Sequence, residues 1–432
     1  MEKGDGARIA GGFGPASGPR TLTWSDSLAE LRPFRGLRPP KELAQKLVAP
    51  PYDVVNAEEA RAYARGNPDS FFRISRPEID LPPGTDEHAD EVYAKGRENL
   101  AEFQKTGRLV QEAEPCFYLY RQRMGSHVQT GVVAAASVEE YDAERIKKHE
   151  LTRADKEDDR TRHVDELGGN DEPVFLTYRA SAAIAALVDE GTRGAPEYDF
   201  TTEDGIGHTF WVVRGALNAR LQEAFRAVPA LYIADGHHRS AAASRVHALR
   251  QQRGQGGGHD RFLAVIFPHD QMQILDYNRV VKDLRGLSPE QLLQKLGERF
   301  EVKPGAQKKP DRAHQFGMYL GGQWYQLTAK PGTFETTPTG VLDVTILQRN
   351  VLEPLLGIGD PRKDSRIHFV GGIRGMEELE RLVNGGAWKV AFSLYPTSLD
   401  QLMAIADAGE IMPPKSTWFE PKLRSGLVLH LF

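Results

Sequence analysis

The chain has 432 residues, 40% hydrophobic and 27% charged, with a formal net charge of -5, and that length calls for two or three domains or subdomains rather than one compact core. The acidic balance counts against a nucleic-acid binder, which usually carries a basic excess. The single cysteine, Cys116, excludes an internal disulfide or a cysteine-rich zinc site and fits a reducing, cytoplasmic compartment, and no apolar run approaches the roughly 20 residues that span a membrane.

Residues 1–26 lack the apolar stretch of a secretory signal and read as a flexible tail. "NAEEARAYARG" predicts a short helix, capped by Asn56, with Glu58 and Glu59 in its first turn and Gly66 at its end. "ADEVYAKGRENLAEFQKTG" predicts a helix with Val92, Tyr93, Leu100 and Phe103 as its apolar residues. Residues 116–122 and 128–137 read as paired strands joined by a turn at Gly125. Thr152 with Asp155 resembles a capping box, so a helix is expected to start there and to end at Gly168 and Gly169. "PVFLTYR" and "HTFWVVR" are strands, residues 215–227 a helix, 230–234 a strand, and a further helix follows Arg239. "RQQRGQGGGHD" reads as an exposed loop, "RFLAVIF" and "MQILDYNRVV" as strands. "VLDVTILQRNVLEPLLGI" is helical, "KVAFSLYP" a strand and "SLDQLMAIADAG" a helix. The alternation predicts an α/β chain with mixed sheets, divided into a core over 27–285 and a C-terminal α/β subdomain over 286–432.

Four stretches carry candidate chemistry. In "LYIADGHHRSAAASRV" a strand runs into Asp235, Gly236, His237, His238 and Arg239 at a helix N-terminus. That end presents unpaired N–H groups and the positive end of the macrodipole. Gly236 lets a ligand approach the backbone, Arg239 offers a bidentate fork, and Asp235 can cap the helix, hold Mg2+ or orient a hydroxyl. Together they suit a nucleotide phosphate; the bland reading is an Asp-capped helix with surface histidines. Zinc at His237 and His238 is the weaker alternative, because adjacent histidines diverge.

In "KKHELTRADKEDDRTRH" Lys156, Asp159, Arg160 and His163 share one helix face, either solvated or lining a cleft together with His149 and Glu150. Glu150 is then a candidate general base for a substrate hydroxyl. "IMPPKSTWFEPKLRSG" resembles the end of a phosphate-binding loop at Lys415, but prolines stand where that loop needs glycines, so the loop reading fails. Lys415, Lys422 and Arg424 with Trp418 and Phe419 still make a segment able to close over a nucleotide; the alternative is a packed tail. Asp53, Arg73 and Arg279 either face a pocket or serve turns and strand ends.

These stretches, with "APPYDVV" and "GNPDSFFRIS", resemble the domain-of-unknown-function 1015 family from Leu31 to the end of the chain. "ADGHHRSAAA" is also similar to the phosphate-binding signature of the ParB/sulfiredoxin superfamily, which includes kinases that phosphorylate free serine. The resemblance implies a ParB/sulfiredoxin-like core with additional α/β subdomains. It implies Asp235, Gly236, His237, His238 and Arg239 as phosphate and metal-site residues, with Asp235 at the metal and Gly236, His237 and Arg239 at the nucleotide. The reading of the residues themselves adds Glu150 to Asp235 and His238 in catalysis, and Lys415 and Arg279 at the nucleotide. Asp53, His149, Lys156, Arg160 and Trp418 are then left for the substrate. Where many members of the family carry Tyr after the motif's Arg, this chain has Ser240.

The expectation is a kinase using ATP or ADP with Mg2+ and a small hydroxylated metabolite, most simply L-serine. A carboxylate, Glu150 or Asp53, accepts the hydroxyl proton. The partners expected are the nucleotide and the metabolite, with no membrane and no nucleic acid, and a homodimer as the candidate assembly. A nucleotide-binding ParB-like regulator and a phosphate-ester hydrolase are the alternatives. The kinase reading requires the segments around Asp53, Glu150, Asp235 and Lys415 to converge on a single cleft, although nothing local joins them.

Overall fold

The computed structural model describes residues 29–305 and 307–432; the tail read over residues 1–26 lies outside the described residues. The chain is mixed α/β, as expected. Its larger sheet has eight strands in the order Ile146–Lys147, Leu231–Asp235, Val174–Tyr178, Arg261–Pro268, His127–Ser137, Phe117–Met124, Gly207–Val213, Tyr198–Thr201. The first pair and the Val174–Arg261 pair are parallel and the rest antiparallel. The central strand Arg261–Pro268 is buried throughout, which is why its sequence is a continuous apolar run and not an alternation.

Alternate side chains of these strands feed two cores. Leu119, Val132, Leu176, Ile233 and Ile266 face one side, against the helices around Ile184 and Phe225. Tyr118, Val133, Phe175, Ala234 and Phe267 face the other, in one continuous cluster with Phe316, Met318 and Phe392 of the second sheet and Leu402 of the helix Leu399–Asp407. That second sheet has six strands in the order Phe300–Pro304, Gln323–Ala329, Gln315–Leu320, Val390–Leu394, Tyr277–Val281, Ile367–Gly371. The strand Tyr277–Val281, assigned on sequence to the first unit, pairs in this second sheet with Ile367–Gly371 and Val390–Leu394.

Local chemistry sets most element ends. Asn56 accepts from the Glu59 N–H, and Glu59 returns the bond, so a full capping box opens the helix Ala57–Tyr63. The helix Asp90–Lys105 buries Val92, Tyr93, Leu100 and Phe103. The helix Ala154–Leu167 ends on Gly168 in the left-handed region, at φ 69°. Its start differs from expectation: Arg153 is the N-cap residue, and the Thr152 hydroxyl donates to the Glu157 carboxylate instead of capping. The loop read over residues 250–260 is shorter than expected, since the helix His237–Gln252 runs into it and His259 is buried at its far end. The helical reading of residues 341–358 resolves into Asp343–Leu347 and a wider turn, Gln348–Leu352.

The C-terminal segment returns to the first half of the chain. Trp418–Glu420 pairs antiparallel with Gln273–Leu275, and His430–Leu431 with Gly169–Asn170. Cys116 is buried and unpaired with any other cysteine. Among the described residues no helix is long and apolar enough to cross a membrane.

Candidate functional site

The strand Leu231–Asp235 is buried through Ala234, and its polar end emerges at Asp235. Gly236 turns the chain at φ 97°, and the helix His237–Gln252 begins at once. That start is earlier than the sequence reading, which placed it after Arg239. His237, His238 and Arg239 therefore fill the first turn of the helix and point apart, about 100° between neighbours. His237 is buried and faces His149, with ring centroids 4.4 Å apart and planes at 89°. The His238 Nε2 accepts from the Arg153 N–H at 3.1 Å and so holds the N-terminus of the neighbouring helix. Arg239 folds back under the turn and donates to the Pro173 carbonyl. A Cβ at Gly236 would lie 3.0 Å from its Nε, so the glycine makes room for Arg239 itself.

The parallel pairing of Ile146 with Leu231 and of Lys147 with Tyr232 brings residues 149 and 150 to the same end of the sheet as Asp235. From the other side comes the stretch after Pro414. Its Lys415 carbonyl accepts from Arg279 at 2.8 Å, and the Ser416 hydroxyl donates to the Pro413 carbonyl. A third segment, the short helical turn Tyr52–Val54, is held by Glu172, which accepts from the Tyr52 N–H at 3.0 Å and from the Ser425 hydroxyl at 2.9 Å. The three segments and the helix N-terminus enclose a cleft of about 330 Å³ whose wall includes Asp53, Glu150, Asp235, His237, Lys415 and Lys422. Trp418, Phe419 and Tyr277 supply aromatic surface to it. The four segments named on sequence grounds thus meet in one place.

Charge in the cleft is paired at Asp235. Asp235 accepts from its neighbour's N–H, Gly236, at 2.9 Å, and its other oxygen lies 3.1 Å from Lys422 Nζ and 4.0 Å from Arg239. Burial would push this carboxyl up, but Lys422 and then Arg239 outweigh it and hold the group well below the usual carboxylate range. Asp235, expected to be the Mg2+ ligand, therefore has each oxygen facing a donor. Glu150 is shifted the other way: burial raises it, Lys415 lowers it and Asp235 raises it again. Burial brings His149 down to about 4, against a hydrogen bond to the Ile233 carbonyl. His237 is also held well below its ordinary value by burial and by His149.

Other expected site residues lie elsewhere. Arg160 is stacked over Tyr52 with its guanidinium carbon 3.9 Å from the ring centroid, donates to Asp159 at 2.9 Å and, with Lys156, lines a separate small cavity beside Tyr93. Arg239 and Arg160 meet instead beneath the cleft, beside Asp171 and Glu172. Arg279 is buried against Phe369 and Tyr277, its pKa lowered to about 10 by burial, and it opens on a second cleft of about 340 Å³ while bracing Lys415. His149 is buried behind the cleft wall. Arg73 pairs with Asp80 and Arg424 with Asp204, both away from the cleft. Two contributors were missed. Lys422 was read as part of a segment able to close over a nucleotide but not as the partner of Asp235, and Glu172 was not singled out, although two adjacent acids between a glycine pair and an apolar strand were a signal of buried charge.

The family model described as "Protein of unknown function (DUF1015)" matches residues 31–345, and the chain belongs to that family. Lys415, Trp418 and Lys422 fall beyond the matched range. No curated protein matches the chain. Among solved structures, free serine kinase in complex with AMP is similar at 15% identity over 69% of this chain and 92% of that one, with a TM-score of 0.34. C-terminally truncated SbnI from Staphylococcus aureus is similar at 12% identity over 69% and 87%, with a TM-score of 0.38. A conserved hypothetical protein from Pyrococcus furiosus gives 15% identity over 69% and 95%, with a TM-score of 0.32. Likenesses of this strength transfer no activity; function has to be argued from the site.

Proposed function

We propose that the chain is a cytoplasmic small-molecule kinase. It transfers the terminal phosphoryl group of ATP or ADP to the hydroxyl of a small metabolite, in the simplest case L-serine to O-phosphoserine. The supporting observation is that a helix N-terminus, two lysines, aromatic surface and the carboxylates of Asp53 and Glu150 line one cleft, although they come from distant parts of the chain. Phosphoryl transfer needs placement and charge stabilisation more than covalent chemistry, and those are what this set of groups offers.

The first-turn N–H groups at His237 and the Lys415 ammonium bind phosphate oxygens. Trp418 packs against the ligand. The acceptor oxygen attacks the terminal phosphorus, the bond from that phosphorus to the bridging oxygen breaks, and the shortened nucleotide leaves with that oxygen. The hydroxyl proton passes to Glu150 or Asp53. Mg2+ arriving with the nucleotide supplies further neutralisation of phosphate charge. Asp235 acts as the fixed counter-charge that positions Lys422.

The test is to incubate the purified chain with ATP or ADP, Mg2+ and a pool of hydroxylated metabolites, and to identify products by mass spectrometry. A phosphorylated metabolite formed in step with nucleotide loss is expected. Nucleotide loss with no phosphorylated product would instead mark a hydrolase. Nucleotide binding without turnover, accompanied by salt-dependent DNA binding, would mark a regulator.

A further inference from the structure

The geometry points to a binding site for a first-row transition-metal dication, of the Zn2+, Co2+, Mn2+ or Fe2+ kind, formed by His149, Glu150 and His237. One ring nitrogen of each histidine and one carboxylate oxygen of Glu150 lie within 4.8 Å of one another. A metal about 2.1 Å from each ligand would place those atoms about 3–4 Å apart. Side-chain rotations that move the atoms by about an ångström close the site.

An independent sign is the state of His149. Its ring is buried, and its Nδ1 has no hydrogen-bond partner. A buried ring nitrogen left without a partner costs stability, and a metal bound there removes that cost.

The charge of the cleft supports the same reading. Three carboxylates, Asp53, Glu150 and Asp235, face it against Lys415 and Lys422, and Lys422 is already engaged by Asp235. A polyphosphate entering there needs more positive charge than the side chains carry, and a dication held at its wall provides it. Two imidazoles and one carboxylate favour zinc, cobalt, manganese or iron over Mg2+, which prefers oxygen donors. Three protein ligands at the edge of an open cleft leave at least one position for water or a phosphate oxygen. Resting on the kinase reading, a further step follows: with Glu150 engaged by the metal, Asp53 is the carboxylate that takes the hydroxyl proton.

The full chain, stripped with a chelator and desalted, is titrated with Co2+ or Zn2+ alone, with no nucleotide present. Bound metal is counted by elemental mass spectrometry, and Co2+ is followed by its visible absorption. One equivalent per chain is expected, not displaced by a tenfold excess of Mg2+. Glu150→Gln and His149→Gln should each weaken binding at least about tenfold. His247→Gln, which alters the other histidine pair, His247 with His259 at 2.9 Å, should bind as the unmodified chain does. Circular dichroism melts establish that each variant is folded, and if His149→Gln is not, Glu150→Gln decides. No stoichiometric metal, preference for Mg2+, undiminished binding by Glu150→Gln, or loss of binding in His247→Gln would each overturn the proposal. Because the probe is metal alone, its failure is distinct from failure of the kinase reading.

Discussion

Arg239 shows how a residue's chemistry depends on which way its backbone sends it. On sequence it is a fork for phosphate. In the structure the helix starts three residues earlier, and the guanidinium lies beneath the turn, donating to the Pro173 carbonyl with Asp235 4.0 Å away and Glu172 in the same small cavity. Its side chain is only 10% exposed. Removing one partner from such a cluster leaves buried charge uncompensated. Arg239→Ala is therefore expected to lower unfolding stability by on the order of 3 kcal/mol, read from urea denaturation. An unchanged midpoint would return the guanidinium to the ligand. The motif's five residues were legible as a special site. Their division of labour was not, because it turns on one left-handed glycine whose φ no residue name reveals.

At the scale of elements, periodicity and caps carried the reading well where the signal was local. Asn56 with Glu59, the apolar positions of Asp90–Lys105 and the stop at Gly168 all follow from side chains within a turn of the event they cause. Thr152 misled because a capping box can be written in the sequence while the helix starts one residue later and the hydroxyl donates to Glu157 instead of accepting a main-chain N–H. The helix Asp343–Leu347 carries a feature with no sequence signature at all. Asp343 is buried; one oxygen accepts from the His314 N–H at 2.8 Å, and the other has no partner. Burial pushes its carboxyl up to about 7, against the His314 and Tyr395 N–H groups that lower it. The folded chain thus holds a proton that the unfolded chain releases near pH 4. Stability is expected to fall as pH rises from about 4 to about 7, and then to level off, by a few kcal/mol at most. Asp343→Asn should flatten that slope and be the more stable protein at pH 8. Parallel pH–stability curves for the two would mean that the buried oxygen finds compensation.

At the scale of the whole molecule, what the sequence could not convey is adjacency. Nothing in "KKHE" announces that it pairs beside "LYIAD", nor that the C-terminal stretch crosses to the strand Gln273–Leu275. Convergence on one cleft could be required by chemistry yet not read from spacing. Phe419 is the fastening of that crossing: it is 2% exposed, opposite Ile274 and 5.6 Å from Phe175 between ring centroids. Phe419→Ala is expected to cost about 3–5 kcal/mol and to make residues 411–426 the first point of proteolytic cleavage, as judged by mass spectrometry of timed digests. Cleavage elsewhere first would show that the segment is held by other means. The same crossing has a bearing on how the protein comes into being. A ribosome makes the strand Leu231–Asp235 and its histidines long before it makes Lys415, Trp418 and Lys422. The nascent chain can fold its larger sheet while the cleft still lacks one wall, and that wall is added only once residues 415–422 have been made.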